Sequence, residues 1–261
     1  MSQHWREVVQ YRDLLYMLAW RDITIKYKQS IMGFMWAIFM PLLIVGSGVL
    51  VRYAFSRLSG HALRWNEIAE VSVKAVPWAF FVSTLRFSTL SLVANTNLVT
   101  KIYFPRELFP LAAAISQLFD FTIASVALTA LLIVTGIGAS LQLLWVPVLI
   151  GVLVALALGL GFMLSALALF FRDVKYLVEI ALTFGIFFTP VFYDVGMFGD
   201  WAPILLLNPV APVLEGLAAC IVHHQAPALN WLAYSAAVSL TLLVLSYKTF
   251  RTLEPAFAEN I

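Results

Sequence analysis

Two charged residues within otherwise apolar stretches are the clearest candidates for chemistry in this sequence. Arg86 interrupts the stretch 75–98, and Asp120 interrupts the stretch 111–134. A charge inside a long apolar segment needs a partner or a wet cavity, and the two residues come out at similar depths when counted along helices from the same side. We therefore predict an ion pair between Arg86 and Asp120. The alternatives are that each separately faces solvent or a backbone carbonyl, or that they belong to a proton relay.

Other reactive side chains lack the spacing that a catalytic or metal site requires. His223 and His224 are adjacent, so on a helix they point in different directions, unlike the i, i+4 pair of a zinc protease. Glu67 and Glu70 follow His61 in a connecting loop, where carboxylates are usually solvated charges. One cysteine and four histidines supply neither a disulfide framework nor a zinc cluster. We predict no catalytic residue, no metal and no cofactor bound by this chain.

The composition excludes most soluble classes of protein. Of 261 residues, 62% are hydrophobic, only 16 are basic and 14 are acidic, and the mean hydropathy is +0.92. A net charge of +2 without a basic run gives no reason to expect nucleic acid as a partner. The expected environment of the chain is a lipid bilayer.

Six stretches are long and charge-poor enough to cross about 30 Å of hydrocarbon, which takes roughly 20 residues of helix. The predicted fold is therefore an all-α integral membrane protein with six transmembrane helices. The stretches lie at about 31–51, 75–98, 111–134, 142–171, 177–192 and 229–247.

Basic residues predict the orientation of these spans. With six spans, eleven of the basic residues lie on the inner side and four on the outer side, so both termini are expected in the cytoplasm. The apolar segment 204–222 contains Pro209 and Pro212, which break a helix. We therefore predict a re-entrant outer hairpin between the fifth and sixth helices.

The first 29 residues are predicted to form a cytoplasmic N-terminus with an amphipathic helix lying at the membrane interface. Apolar residues recur at helical spacing from Val8 to Leu18. The period breaks at Arg21 and Asp22, which predicts a bend or loop before the first span. The transmembrane domain then extends over 30–250, and a cytoplasmic tail follows over 251–261. No cleavable signal peptide is evident.

Small residues recur every four positions in the fourth span, a pattern that lets membrane helices approach closely. We predict helix packing as the role of two such series: Gly151, Ala155 and Gly159, and Ala157, Gly161 and Ser165.

An ATP-driven machine needs a glycine-rich phosphate loop, and none of the 13 glycines precedes a lysine. The chain therefore cannot hydrolyse ATP by itself.

Several motifs in order resemble the ABC-2 type permeases that export polysaccharides, namely the O-antigen, capsule and teichoic-acid exporters. The resemblance covers essentially the whole chain. It is carried by the segments 21–33, 97–101, 104–108, 171–174 and 189–193, with Trp36-Ala37, Pro41 and Asn208-Pro209.

The resemblance implies a homodimer of six-helix subunits in the bacterial inner (plasma) membrane, with two copies of a separate ATPase subunit that binds ATP and Mg. It also implies that the loop after the second span is a coupling helix seated on the ATPase, with a second contact at 171–174. The expected coupling residues are Lys101, Phe104, Pro105, Arg106, Glu107, Arg172 and Asp173.

The substrate implied by the resemblance is a lipid-linked polysaccharide. A lipid diphosphate needs positive charge at the inner face, for which Arg21, Lys26 and Lys28 are the candidates. Sugar rings pack on aromatic faces, and the residues we expect along the conduit are Trp36, Phe39, Phe192 and Tyr193.

Three alternatives remain open at the level of sequence. The chain could be an ABC-2 permease for a drug or a lipid, a membrane-embedded polysaccharide-modifying enzyme, or a secondary carrier. The last two are disfavoured because the outer loops offer few polar groups and one buried acid gives no obvious ion path.

Overall fold

The computed structural model describes residues 10–28, 33, 35–60, 64–101 and 104–258, and all regular secondary structure in these ranges is helical. The α-helices are α1 (Arg12–Lys28), α2 (Met35–Ser59), α3 (Trp65–Ala94), α4 (Thr96–Lys101), α5 (Leu108–Val134), α6 (Val146–Phe170), α7 (Val174–Gly185), α8 (Ala202–Leu206), α9 (Ala211–Ile221) and α10 (Leu229–Leu253). Short 3₁₀ helices cover Leu141–Trp145, Ile186–Phe188, Val195–Trp201 and Glu254–Ala258.

Five helical stretches are long and apolar enough to cross a membrane. They are Met35–Arg57, Trp65–Ala94, Leu108–Val134, Leu141–Phe170 and Leu229–Phe257. The expected fifth span, at 177–192, coincides with α7 and the following 3₁₀ helix, which are together shorter than these five. The prediction of a multi-pass membrane protein is thus confirmed, with five helices in the described part that could cross the membrane.

Helix α3 is the centre of the bundle. It packs against α2, α5, α6, α7 and α9. In its most apolar stretch 78% of the residues are buried, against 11% in the corresponding stretch of α5. The helix begins at Trp65, ten residues before the predicted start of the second span at 75. The other long helices therefore keep broad apolar faces at the surface of the bundle, which suits a lipid environment.

Helix α1 is continuous through the charged pair at which the apolar period breaks. The predicted bend after Arg21 and Asp22 is wrong, because the helix extends to Lys28. Tertiary packing overrides the local pattern here: α1 lies along α5 and buries Leu18 and Ile23 on either side of the pair. The residues 1–9, where the amphipathic helix was expected to begin, lie outside the described part.

Close helix contacts in α6 use the small residues that the sequence singled out. A Cβ atom built on Gly159 would lie 2.9 Å from the backbone nitrogen of Leu243 in α10, and one on Gly161 would lie 3.0 Å from Ser88 Cβ in α3. Gly151 has no such neighbour within 4 Å. The packing role is confirmed for Gly159 and Gly161.

The bundle has two distinct ends. At the terminal end, α1, α4, the segment 104–107 and the residues after α10 share one apolar cluster that includes Leu18, Phe104, Phe109, Phe250 and Phe257. At the hairpin end, the segment 194–228 contains α8 and α9. Helix α9 packs against α3, α6 and α10, as expected for short helices broken by proline.

Candidate functional site

An open groove lies beside α3 between the two ends of the bundle, and we call it the central groove. It has a volume of about 590 Å³ and contains both polar and aromatic side chains. A second cavity of about 570 Å³ continues it toward the terminal end as far as Asn95. The two cavities share Lys26, Phe87 and Gln117.

The side chain of Lys26 reaches from α1 to α5 at the junction of the two cavities. Its ammonium group pairs with Asp120, and the hydroxyl of Tyr27 donates a hydrogen bond to the same carboxylate. Lys26 Nζ also lies 3.4 Å from Gln117 Oε1 and 5.3 Å from the centre of the Phe87 ring. Burial, and then the hydrogen bond to Asp120, raise the pKa of Tyr27. The junction is therefore a fully paired polar cluster that would have to rearrange to admit an anion.

Arg86 has a different partner from the one predicted. Its guanidinium binds Glu179 of α7 in a bidentate pair, with Nε 2.8 Å from Oε2 and Nη2 2.5 Å from Oε1. The predicted ion pair between Arg86 and Asp120 does not form. Depth along a helix does not specify the face, and α3 turns Arg86 toward α7 while α5 turns Asp120 toward α1. Both Arg86 and Asp120 nevertheless line the central groove.

The other predicted entrance residues lie on α1 at a shallow groove of about 450 Å³. Arg21 and Lys28 line it together with Trp20. The guanidinium of Arg21 is held by its neighbour Asp22, with Nη2 2.8 Å from Oδ1. Arg21 also lines the second cavity. Cationic groups are therefore placed along a path from the surface of α1 to the junction at Lys26.

The predicted conduit aromatics fall into two places. Trp36 lines the central groove and packs edge to face on Phe39, with ring centres 5.7 Å apart. Phe192 and Tyr193 lie near the hairpin end, where the Phe192 carbonyl accepts a hydrogen bond from Arg52 Nε at 3.0 Å. The four aromatics thus mark the groove and its hairpin end rather than one continuous wall.

The segment 104–107, expected to contact an ATPase, is largely buried. Phe104 is 7% exposed and packs on Phe109 at 5.4 Å between ring centres. Glu107 is 0% exposed, and its carboxylate binds Arg251 of α10, with Nε 2.7 Å from Oε2. Pro105 is buried and Arg106 is partly buried, and the side chain of Lys101 lies outside the described part. Much of this segment therefore faces the protein's own C-terminal residues.

Arg172 and Asp173 are exposed in the short turn between α6 and α7. The Asp173 carbonyl begins α7 by accepting hydrogen bonds from Tyr176 and Leu177, and the exposed ring of Phe171 precedes the pair. These side chains are free to contact another protein at the terminal end.

A buried charge cluster at the hairpin end was missed by the sequence reasoning. Lys74 is 0% exposed and its Nζ lies 2.7 Å from Glu70 Oε1 and 2.8 Å from Glu215 Oε1, and Arg52 Nη2 lies 3.3 Å from Glu70 Oε2. Glu70 was interpreted as a solvated loop charge, which is wrong because α3 begins earlier than predicted. Its i, i+4 spacing to Lys74 was the available signal.

This cluster joins α2, α3 and α9. Burial raises the pKa of Glu215, and the nearby charge of Lys74 opposes that effect. Burial, and then the charge of Glu215, raise the pKa of Tyr193. The hairpin is thus held to the bundle by polar contacts in a poorly solvated place.

No group of three or more His, Cys, Asp or Glu residues that could hold a metal ion occurs in the described ranges.

Comparisons with known proteins identify the family to which this chain belongs. The family model described as ABC-2 type transporter matches residues 13–222. A protein named O-antigen export system permease protein RfbA from Myxococcus xanthus is 27% identical over 259 residues, which is 98% of each chain. Two proteins of the same name from Klebsiella pneumoniae are 28% identical over 204 residues, 77% of each chain, and 26% identical over 253 residues, 95% of this chain and 94% of the relative. Since the family model covers most of the sequence, this chain belongs to the ABC-2 type transporter family.

Proposed function

We propose that this chain is the membrane permease subunit of an ATP-driven exporter that moves a lipid-linked polysaccharide of the O-antigen type across the bacterial inner membrane. The observation that carries the proposal is the central groove, whose paired charges and aromatic rings lie beside α3, the most buried of the five long apolar helices in the described part of the chain. Membership of the ABC-2 family and three relatives named as O-antigen export permeases support the same function. The chain acts as a transport subunit and not as an enzyme.

The groove suits a polar polymer attached to a lipid. The exposed aromatic faces of Trp36 and Phe87 can pack on sugar rings, and the pair of Arg86 and Glu179 can exchange hydrogen bonds with hydroxyl groups. The path from Arg21 to Lys26 would suit the anionic lipid-diphosphate head once the head group replaces Asp22 and Asp120 as the partner of these cations, and the head would enter at the terminal end. We assign no role in catalysis to these residues.

The energy source is a separate ATPase subunit that binds ATP and Mg, because the sequence has no phosphate-binding loop. We propose a homodimer of this chain on two ATPase copies, so that two central grooves face one conduit. The broad apolar faces of the long helices are available to lipid and to the second copy.

In the proposed topology both termini are cytoplasmic and α7 completes a sixth crossing. Five crossings would place the termini on opposite sides, whereas the basic residues cluster at both of them. The stretch Val174–Phe188 has 12 residues of α-helix and three of 3₁₀ helix, which at standard rises reach about 24 Å. A crossing this short is compatible with local thinning of the bilayer. The segment 194–228 would then be a re-entrant hairpin at the periplasmic side.

The coupling residues lie at the terminal end in this topology. We propose that Arg172 and Asp173 contact the ATPase directly because they are exposed. The segment 104–107 is a turn before α5 and not the short helix expected from the resemblance. We propose that this coupling segment, with Lys101 before it, contacts the ATPase through its outer surface while Glu107 holds it from inside.

The test is to search the neighbouring reading frames for a Walker-motif ATPase and to co-express it with this chain in a strain whose own O-antigen exporter is deleted. We expect the ATPase to co-purify and glycan to reach the cell surface, and Arg172→Ala with Asp173→Ala to lower the co-purified ATPase by about tenfold, the loss expected when ~1.4 kcal/mol of contact is removed. Lys248→Ala, an exposed basic residue on α10, is the matched control.

Two results would contradict the proposal. Surface glycan that appears equally without this chain would refute the export function. Export of a lipid or a drug without any glycan would show that the proposed substrate is wrong.

A further inference from the structure

The residues that follow the last long helix fold back onto the segment 104–107. Helix α10 ends at Leu253 and a 3₁₀ helix continues over Glu254–Ala258. We call residues 251–258 the C-terminal brace. The sequence predicts a cytoplasmic tail over 251–261, and the structure shows that its residues up to 258 pack against the bundle, since Phe257 is 0% exposed.

The first contact of the brace is a buried ion pair. Arg251 Nε lies 2.7 Å from Glu107 Oε2, and Nη2 donates to Oε1 at 2.9 Å. The hydroxyl of Tyr247 donates to the same Oε1 at 3.2 Å. Because Glu107 is 0% exposed, its charge depends on these partners rather than on water.

The second contact is made by Glu254, which bridges the two chain segments. Its Oε1 accepts the backbone N–H of Arg106 at 2.9 Å, and its Oε2 accepts Arg251 Nη1 at 3.0 Å. The guanidinium of Arg106 donates in turn to the backbone carbonyl of Glu254. Two cations and two carboxylates from distant parts of the sequence thus form one closed network.

The third contact is apolar and reaches the other predicted coupling segment. Phe257 packs on Phe250 at 5.2 Å and on Phe170 at 5.8 Å between ring centres. Phe170 is the last residue of α6, directly before the exposed turn that contains Arg172 and Asp173. The brace therefore touches the supports of both segments assigned to the ATPase contact.

We propose that the C-terminal brace is a positioning element that ties segment 104–107 to the end of α6, so that both ATPase contacts move as one unit during transport. The proposal rests on the coupling role given to these segments above. Arg251 and Glu254 act through Glu107 and Arg106 and need not touch the ATPase themselves. A loosened brace would leave ATP hydrolysis running while less of it is converted into export.

The test measures glycan exported per ATP hydrolysed in vesicles that contain the full complex. We expect Arg251→Glu to lower this ratio by ~10-fold, because it removes the cation of a buried carboxylate. Glu107→Arg should do the same, and the double variant, which reverses the pair, should restore the ratio to within about threefold of the wild type. Lys248→Glu, an exposed charge change three residues before Arg251, is the control and should leave the ratio unchanged.

The ratio separates positioning from a merely structural role. A structural role alone would reduce the amount of folded complex, while the surviving complex kept its normal export per ATP, and that result would overturn the proposal. If the charge reversals prevent folding, Glu254→Gln is a smaller change for which the same ratio of exported glycan to hydrolysed ATP can be measured. We expect ~2- to 5-fold loss of the ratio there, as for weakening a charge-assisted hydrogen bond. An unchanged ratio would again overturn it.

The failure of this inference is distinguishable from failure of the proposed function. If Arg172→Ala with Asp173→Ala leaves ATPase co-purification intact, then the contact assignment itself is wrong. If that variant loses the ATPase while the variants of Arg251 and Glu254 keep a normal ratio, only the brace is refuted.

Discussion

Replacing Lys74 with methionine is the sharpest test of the charge cluster at the hairpin end. The ammonium group is completely buried and lies 2.7 and 2.8 Å from two carboxylates. Methionine keeps most of the volume of the side chain but leaves Glu215 without its cation, while Glu70 retains Arg52 at 3.3 Å. Removing one partner of a buried pair costs about 3–5 kcal/mol.

For a chain of this size each kcal/mol lowers the melting temperature by roughly 2–4 °C, so Lys74→Met should lower it by about 10 °C. The measurement is thermal unfolding of the detergent-solubilised protein, followed by loss of the monodisperse peak in size-exclusion chromatography. Arg57→Met is the matched control, because Arg57 lies on α2 near the same end, is exposed, and donates hydrogen bonds to the hydroxyl of Tyr53 one turn away. Its effect should stay within about 1 kcal/mol.

A second variant tests the cause of the loss. Lys74→Met combined with Glu215→Gln removes the uncompensated charge, and it should be more stable than Lys74→Met alone. If Lys74→Met melts at the same temperature as Arg57→Met, then the burial and pairing of this lysine contribute nothing and the reasoning is refuted.

Three further predictions concern packing, pH and the groove. Gly159→Ala places a methyl group against the backbone of α10 and should cost about 1–3 kcal/mol in a thermal melt, whereas Gly151→Ala, in open space, should be neutral. Burial raises the pKa of Glu215 above its ordinary 4.5, so the stability it contributes is complete below that pH and is lost as the pH rises through the raised value. Melting curves of wild type and Glu215→Gln between pH 4 and 8 should therefore diverge, and a constant difference across that range would contradict the assignment. Asp120→Asn removes the carboxylate that holds Lys26 and frees this cation in the groove. Transport assays should show an altered apparent affinity for the lipid-linked substrate, and an unchanged dose response would exclude the junction from the substrate path.

The sequence located the five long apolar helices of the described part, but not their ends. The apolar stretches at 111–134 and 229–247 lie within α5 and α10, because length and hydropathy alone decide that a helix can cross a bilayer. The predicted start at 75 excluded Glu70 and Lys74 from the helix, because a single unpaired charge is unfavourable in a membrane span. In the structure the two neutralise each other one turn apart and lie inside α3.

Pairing between charges could not be derived from depth. Arg86 and Asp120 were assigned to each other because both are charged and lie at similar heights along their helices. Which face a residue presents depends on the rotation of each helix about its axis, which is set by the packing of the whole bundle. That rotation directs Arg86 to Glu179 and Asp120 to Lys26.

By itself, the sequence determined that this protein belongs in a lipid bilayer and to which family of transporters it belongs. Scarce charges and long apolar runs indicate a bilayer. The ordered motifs indicate the ABC-2 family, which the family model confirms and which implies an ABC ATPase as a partner. Only the tertiary structure decided which charges meet, how the C-terminal residues fold onto segment 104–107, and where a groove remains open. Those outcomes depend on contacts between residues far apart in the chain, and such contacts form only when all the helices have packed together.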